Sequence, residues 1–144
     1  MHKFQYNKHS VGQNSFHIIW SPRYRINIFK PVIINKVFEG ILNMIAQQKG
    51  YTIYELKIMD DHIHMFVELP PHTSVSTALQ MFKGISSRIL RRNYKWIRGI
   101  YPRGGMWSSG YFFRSVGSVT SNVIEHYIRN SNKNWKYFQG EAET

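Results

Sequence analysis

Residues 60–71, DDHIHMFVELPP, encode the strand around which the rest of the chain is predicted to fold. The apolar run from His62 to Leu69 is typical of a buried strand, and the two prolines after it end the strand. Alternate side chains of a strand share a face, so His62 and His64 are predicted to point in the same direction. Two neighbouring imidazoles aimed at one point make half of a metal site. The alternative is that both rings are hydrogen-bonded on a half-buried sheet.

The segments on either side of this strand predict an α+β fold. Asp60 and Asp61 supply a tight turn that joins two strands into a hairpin. Hydrophobic periodicity, capping residues and turn residues predict, in chain order, a strand at 16–20, a helix at 31–50, strands at 51–59 and 62–69, a helix from 73, a strand at 110–117 and a helix from 118.

The order βαββαβ followed by a helix fits a ferredoxin-like split βαβ sandwich, with an antiparallel sheet and helices mainly on one face. In that fold the first and third strands are neighbours at the centre of the sheet, so His62 and His64 would lie on a rigid platform. A length of 144 residues fits a single domain, 1–144. We expect residues 1–13 to form a mobile arm and residues 139–144 a flexible tail.

The charge of the chain predicts a polyanionic partner. Lys and Arg number 19 against 8 Asp and Glu, which gives a formal net charge of +11. Aromatic residues make up 15% of the chain, and aromatic faces interleaved with cations suit unstacked bases, which favours single strands over duplex. The alternative is a basic solvated surface around an aromatic-rich core.

The second predicted helix carries a cluster of cations towards its end. Cations at this position suit both the negative end of the helix dipole and a phosphate backbone. A solvated helix face is the alternative for any one of them. The run at the helix end consists of Arg88, Arg91, Arg92, Lys95 and Arg98. The candidate nucleic-acid-binding residues are Lys83, Arg88, Arg91 and Arg92.

The sequence also bears on where the protein works. Its N-terminal residues lack the apolar segment of a signal peptide, and no apolar run approaches the length of a membrane span. The absence of cysteine excludes disulfides and thiolate metal sites and is compatible with an intracellular location. We therefore expect a soluble, cytoplasmic protein with no membrane partner.

A metal at the histidines would permit chemistry on phosphate. The 8 carboxylates, most of them distant in sequence, argue against a two-metal site built from Asp and Glu. A single divalent ion held by His62, His64, one further oxygen and a substrate phosphate fits the residues, and ligand softness favours Zn over Mg. A tyrosine near such an ion could act as a nucleophile. Tyr127 stands out because it lies on the sheet-facing side of the last predicted helix with Val123 and Ile124, although a core role is the alternative.

Five stretches spread along the chain form one ordered pattern. They are FHIIWSPRYR at 16–25, DHIH at 61–64, MFKGISSR at 81–88, WSSGYF at 107–112 and YIRN at 127–130. Taken in this order they resemble the first strand, the metal motif, the second-helix signature and the closing motifs of the HUH single-tyrosine transposases of small insertion sequences, the TnpA type. The resemblance covers about residues 15–131, which makes it more specific than any one motif.

The resemblance implies a reaction on single-stranded DNA. Tyr127 would attack a backbone phosphate, giving a 5′-phosphotyrosine link and a free 3′-OH, and the strand would later be rejoined to another end. The ion at His62 and His64 would be Mg or Mn, the metals of the family, in place of Zn. The resemblance also implies a homodimer, in which the tyrosine helix of one subunit can complete the partner's site, and recognition of DNA hairpins near the element ends.

This chain departs from the family at the third metal ligand. Family members commonly have Gln one helical turn after the tyrosine, where this chain has Ser131, whose side chain is too short to reach as Gln does. Asn130, Asn132 or Asn134 could substitute, or phosphate and water could fill the place.

Two other functions are compatible with the sequence. One is a non-catalytic single-stranded nucleic-acid-binding module, which would need neither the histidines nor Tyr127. The usual aromatic signature of RNA-recognition modules is not found on the expected strands, which counts against it. The other is a domesticated HUH endonuclease that cuts host repeats without moving an element, and sequence does not separate this from a mobile enzyme.

Overall fold

The computed structural model describes residues 14–116, and the elements found there follow the predicted order. Their bounds are β1 Ser15–Trp20, α1 Val32–Lys49, β2 Thr52–Ile58, β3 Ile63–Glu68, α2 Val75–Asn93, α3 Lys95–Ile100 and β4 Phe112–Ser115, with a short 3-10 turn at Arg23–Arg25. The predicted arm at 1–13, the last helix and the tail at 139–144 lie outside the described residues. Among the helices within 14–116, none has the length and hydropathy needed to cross a membrane.

The four strands form one antiparallel sheet in the order β2-β3-β1-β4. β1 and β3 occupy its centre, where Ser15 pairs with Glu68 and Trp20 pairs with Ile63. This is the strand order of a ferredoxin-like split βαβ sandwich, and it confirms that the first and third strands are neighbours. The strand that carries the predicted metal motif is therefore hydrogen-bonded along both of its edges.

One face of the sheet carries the hydrophobic core under α1 and α2. Ile63, Met65 and Val67 of β3 are fully buried there, together with Ile18 and Trp20 of β1. The helices contribute apolar side chains at helical spacing, namely Ile34, Phe38, Ile41, Leu42 and Ile45 of α1 and Val75, Ala78, Leu79, Phe82 and Leu90 of α2. Because Ile63 and Met65 face the helices, the residue between them faces the opposite side of the sheet. The structure thus shows that His64 lies on the sheet face opposite the helices.

Local sequence signals set the ends of both long helices. α1 begins directly after Pro31 and ends at Gly50, whose φ of 77° is left-handed and is easily adopted by glycine. α2 begins after Ser74, whose Oγ accepts a hydrogen bond from the backbone N–H of Thr77 at 3.1 Å. These are the signals used in the sequence prediction, which explains why the predicted and observed helix bounds agree closely.

The short helix α3 differs from the prediction, which placed Lys95 and Arg98 in the run at the end of the second helix. At Tyr94 the backbone leaves helical geometry, with φ −127° and ψ 104°, and α3 then starts afresh. The break allows Ile97 to be fully buried in the core. Burial of this side chain gives a physical reason for dividing the cationic run between two helices.

Candidate active site on the histidine face

The sheet face opposite α1 and α2, here called the histidine face, carries the predicted metal ligand His64. Side chains that are opposed across an antiparallel pair lie on the same face. By this rule the face includes Ile19 opposite His64, Phe66 opposite His17, and Arg114, which is also opposite His17. His17 and His64 are both fully buried. Both imidazoles therefore lie in an environment that disfavours their charged form.

The other predicted ligand, His62, lies just before β3 and is oriented by the turn that precedes it. Its Nδ1 is 2.7 Å from Oδ1 of Asp61, and Oδ2 of Asp61 forms an ion pair with Nη2 of Arg25 at 3.3 Å. Burial alone would raise the pKa of Asp61, but hydrogen bonding to His62 and the charge of Arg25 outweigh it and lower the pKa below its ordinary value. Asp61 is therefore ionised and can only accept, so Nδ1 of His62 donates to it, and in the neutral imidazole Nε2 carries the lone pair.

Asp61 does more than form the turn predicted from the sequence. The turn itself is present, since the backbone N–H of Met59 donates to the carbonyl of His62 at 2.8 Å. In addition, a carboxylate on the second nitrogen of a histidine fixes the tautomer and orientation of the ring, as is common for metal-ligating histidines. An imidazole oriented in this way is suited to binding a cation through its other ring nitrogen.

His17 brings a third histidine to the predicted pair. The centroid of its ring lies 3.7 Å from that of His64, with the two ring planes 54° apart. Burial lowers the pKa of His17 to about 2, and the charges of His64 and Arg114 add to the effect. Burial likewise lowers the pKa of His64 to about 3, with contributions from Lys57 and His62. Both rings are neutral at neutral pH, which is the form that binds metals.

Sequence reasoning missed His17 as a residue of the site. The available signal was a lone histidine in the apolar stretch FHIIW, on a strand predicted to lie beside the one that carries His62 and His64. A single polar residue on an apolar strand does not show which face it occupies. The pairing register of β1 with β3 supplies that information, and the register depends on contacts distant in sequence.

The described part of the histidine face fits a divalent cation only in part. Between residues 14 and 116, no three His, Asp or Glu side chains form a group that could hold a metal ion. The buried carboxylate of Glu68 lies four residues beyond His64, about 13 Å along a strand, and accepts a hydrogen bond from Oη of Tyr54 at 2.6 Å. His62 and His64 could supply two nitrogen ligands, and the remaining ligands would have to be other atoms.

The structure brings together the two predicted histidines and adds His17 to them. The predicted nucleophile Tyr127 lies outside the described residues, as does Ser131 at the position of the family's third ligand. The meeting of the Tyr127 phenol with the imidazoles therefore stays a prediction.

The four predicted nucleic-acid-binding residues lie together in one surface cavity, here called the basic groove. The groove has a volume of about 570 Å³ and runs between α2 and the connection from α3 to β4. Its cationic lining consists of Lys83, Arg88, Arg91, Arg92 and Arg98. A concave surface with this many positive charges is suited to an anionic polymer.

The cations of the basic groove divide into two groups. Lys83 and Arg91 are half-buried and donate to backbone carbonyls, with Nζ of Lys83 2.9 Å from the Ser108 oxygen and Nε of Arg91 3.0 Å from the Tyr101 oxygen. Burial also lowers the pKa of Lys83. Arg88 and Arg92 are exposed. The first pair thus braces the loop that forms one wall of the groove, and the second pair presents charge to solvent.

Most of the chain, residues 10–131, matches the protein family described as transposase IS200 like. The transposase for insertion sequence element IS200 of Salmonella typhimurium is 31% identical over 121 residues, which cover 84% of this chain and 78% of that protein. The chain belongs to the IS200-like transposase family. Another relative of this transposase, the ISDra2 transposase TnpA of Deinococcus radiodurans, is 28% identical over 121 residues, covering 82% of this chain and 84% of the relative.

Two solved structures share the fold of this transposase. A crystal structure from Deinococcus radiodurans, described as that of a transposase, gives a TM-score of 0.69 at 24% identity and covers 88% of this chain and 96% of its own. The structure of a REP-associated tyrosine transposase bound to a REP hairpin gives a TM-score of 0.53 at 12% identity, with coverage of 91% and 74%. At these identities the likeness concerns the fold, and it confirms the predicted α+β class.

We expect the free energy of unfolding of the metal-free transposase to fall when the pH is lowered from 8 to 5. The folded-state pKa values of His17 and His64 are lowered, so the unfolded chain, with histidine pKa values near 6.5, binds protons that the folded chain does not. The contribution of the two neutral rings to the free energy of unfolding is fully present above about pH 7 and is lost as the pH falls through 6.5. At pH 5 the loss for the two rings together is on the order of 4 kcal/mol. Urea unfolding in the presence of a chelator measures this loss.

Two variants test the source of this pH dependence. His17→Phe removes one of the two imidazoles whose pKa is lowered and is expected to reduce the loss by about half. His72→Gln changes an exposed histidine and is expected to leave the loss unchanged. The same loss in His17→Phe as in the wild type would contradict a neutral, buried His17.

Proposed function

We propose that this transposase cleaves and rejoins single-stranded DNA through a 5′-phosphotyrosine intermediate at Tyr127, with Mg or Mn held by His62 and His64. The observation that carries the proposal is the geometry of the two imidazoles, since Asp61 orients the first and His17 packs against the second. Membership of the IS200-like family supports it, because the matched residues 10–131 include Tyr127.

The proposed reaction exchanges one phosphodiester for another. Oη of Tyr127 loses its proton and attacks a backbone phosphorus, the bond from phosphorus to the 3′ oxygen breaks, and that oxygen takes up a proton to become a 3′-OH. In the second step a 3′-OH from another end attacks the phosphotyrosine, which forms a new phosphodiester and restores the phenol. Bond energy is retained, so no nucleotide cofactor is needed. A free phenol has a pKa of about 10, so the site has to stabilise the phenolate.

The histidine face would hold the cation and orient its ligands. His62 and His64 would bind through nitrogen lone pairs, and the lowered pKa of His64 keeps its imidazole unprotonated at neutral pH. Asp61 would fix the ring of His62, and His17 would restrict the positions open to the ring of His64. When bound, the cation would supply positive charge where negative charge builds on the phosphate. Oxygen ligands from phosphate and water would complete a site suited to Mg or Mn.

Surface charge supports DNA as the substrate. The exposed guanidinium groups of Arg88 and Arg92 lie in the basic groove, and phosphate is an anion that guanidinium binds strongly. The neighbouring fold of a REP-associated tyrosine transposase bound to a REP hairpin supports the recognition of hairpins near the element ends. The proposal includes a homodimer in which the tyrosine helix of one subunit can complete the site of the other.

Replacement of Tyr127 tests the nucleophile. With Mg or Mn and single-stranded oligonucleotides that span an element end, labelled at the 5′ or 3′ terminus, the wild type is expected to form a covalent adduct on a denaturing gel. Tyr127→Phe removes the attacking oxygen and a chelator removes the metal, so either change should lower adduct formation at least about 1,000-fold. Tyr111→Phe, at an exposed tyrosine of the closing motif, should retain the adduct. An adduct in Tyr127→Phe would assign the attack to another residue.

Replacement of Asp61 tests the orientation of His62. Asp61→Asn leaves an acceptor oxygen but removes the negative charge that fixes the tautomer, so the affinity for Mn should fall by about 10- to 100-fold. Asp60→Asn is the matched control, because this neighbouring residue is exposed and makes the same chemical change. Isothermal titration calorimetry with Mn gives both affinities. Equal affinities for Mn in the two variants would contradict a role of Asp61 in orienting His62.

Replacement of the exposed arginines tests the basic groove. The double variant Arg88→Gln with Arg92→Gln should bind single-stranded DNA more weakly. The loss of each phosphate contact reduces the number of counterions that binding releases from the DNA. The slope of log affinity against log salt should become shallower by roughly 0.7 per contact, or about 1.4 in total. Lys36→Gln with Lys49→Gln removes the same charge from exposed positions on α1 and should keep the slope. Fluorescence anisotropy at several salt concentrations measures it, and equal slopes in both double variants would exclude the groove as the phosphate-binding surface.

A further inference from the structure

A second cavity, here called the tyrosine cavity, lies at the turn that follows β1. It has a volume of about 260 Å³, and its lining includes Arg23, Tyr24, Tyr101 and Arg103. It adjoins the basic groove, because Gly104 lines the tyrosine cavity and the next residue, Gly105, lines the groove. Arg91 reinforces this connection by donating to the carbonyl of Tyr101. The two cavities therefore form neighbouring parts of one positively charged surface.

The backbone at Tyr24 is held in a conformation that this residue type rarely adopts. Its φ is 66° and its ψ is 9°, and the φ of the next residue, Arg25, is 51°. Left-handed geometry is unfavourable for residues with a Cβ atom, and such strain is concentrated at ligand clamps and active sites. The result of this geometry is an aromatic side chain that is 78% exposed. Core packing does not explain a strained turn that directs a large ring into solvent.

The ring of Tyr24 is nevertheless aligned with the ring of a neighbouring tyrosine. It lies parallel to the ring of Tyr101, with 7° between the planes and 6.4 Å between the centroids. Tyr101 is buried, and its Oη donates to the carbonyl of Arg23 at 2.9 Å. This hydrogen bond connects the ring of Tyr101 to the turn that carries Tyr24. A flat π surface with exposed arginines in the same cavity is suited to an unstacked base and its phosphates.

We propose that the tyrosine cavity binds one unstacked base of the single-stranded DNA, stacked on Tyr24, with Arg23 and Arg103 at the adjacent phosphates. The inference rests on the proposed function and adds a base-binding subsite to it. The strand would continue into the basic groove across residues 101–105. The same turn also carries Arg25, which pairs with Asp61, so the bound base lies close to the residues that orient His62.

The contribution of the base can be separated from that of the backbone with two ligands of equal charge. One is a 20-nucleotide oligothymidylate, and the other is a strand of the same length built from abasic units. Tyr24→Gly removes the ring while glycine accepts the left-handed backbone, and Tyr24→Asn is a second ring-free variant that tolerates this geometry. Tyr24→Phe keeps the ring, and Phe113→Ala removes an exposed ring from β4 as a control. Fluorescence anisotropy at low salt gives the affinities.

Tyr24→Gly and Tyr24→Asn should bind oligothymidylate at least about 5-fold more weakly than the wild type. This fold-change is the lower limit expected for the loss of one base–aromatic stack. Their affinity for the abasic strand should be unchanged, and Tyr24→Phe and Phe113→Ala should match the wild type on both strands. Unchanged binding of oligothymidylate by the ring-free variants, or an equal loss on both strands, would overturn the subsite while leaving the proposed function intact. A wild type that binds neither strand would overturn the proposed function as well.

Discussion

The antiparallel pairing of β1 with β3 is the interaction on which the rest of the structure depends. It places two apolar strands at the centre of the sheet and fixes which side chains share a face. One face then packs under α1 and α2, and the other gathers His17 beside His64. A hydrophobic core and a cluster of neutral imidazoles are thus produced by the same register, on opposite sides of one pair of strands.

Burial decides which titratable groups of the protein are charged and which cations are exposed to solvent. On the histidine face, burial and the nearby cations Lys57 and Arg114 keep His64 and His17 uncharged, although the protein as a whole is strongly basic. In the basic groove, the half-buried Arg91 braces a loop through backbone carbonyls while Arg88 stays exposed. The structure therefore separates positive charges that shape the surface from those available to an anion, a distinction that net charge does not make.

Much of the fold could be predicted from local signals. Pro31, Gly50 and Ser74 mark helix ends by conformations that are set within a few residues, and the strand order followed from the sequence of elements. The orientation of β3 could not be predicted, because all six of its residues are buried and no alternation of polar and apolar residues identifies the core side. α3 was missed because its boundary at Tyr94 carries no proline or glycine. Of the candidate site, the His62–His64 pair was visible in sequence, whereas His17 and the Asp61–His62 contact depend on spatial neighbours.

The alternation of side chains along β3 limits how this lineage can vary. His64 and Met65 occupy opposite sides of the sheet because every residue from Ile63 to Glu68 takes one place in the pairing with β1. Deletion of a single residue in this interval would move the side chains that follow it to the opposite face of the sheet. An imidazole would then face the apolar helices, and the Met65 side chain would face the histidine face. Among natural descendants, the hairpin formed by β2 and β3 should therefore keep a constant residue count.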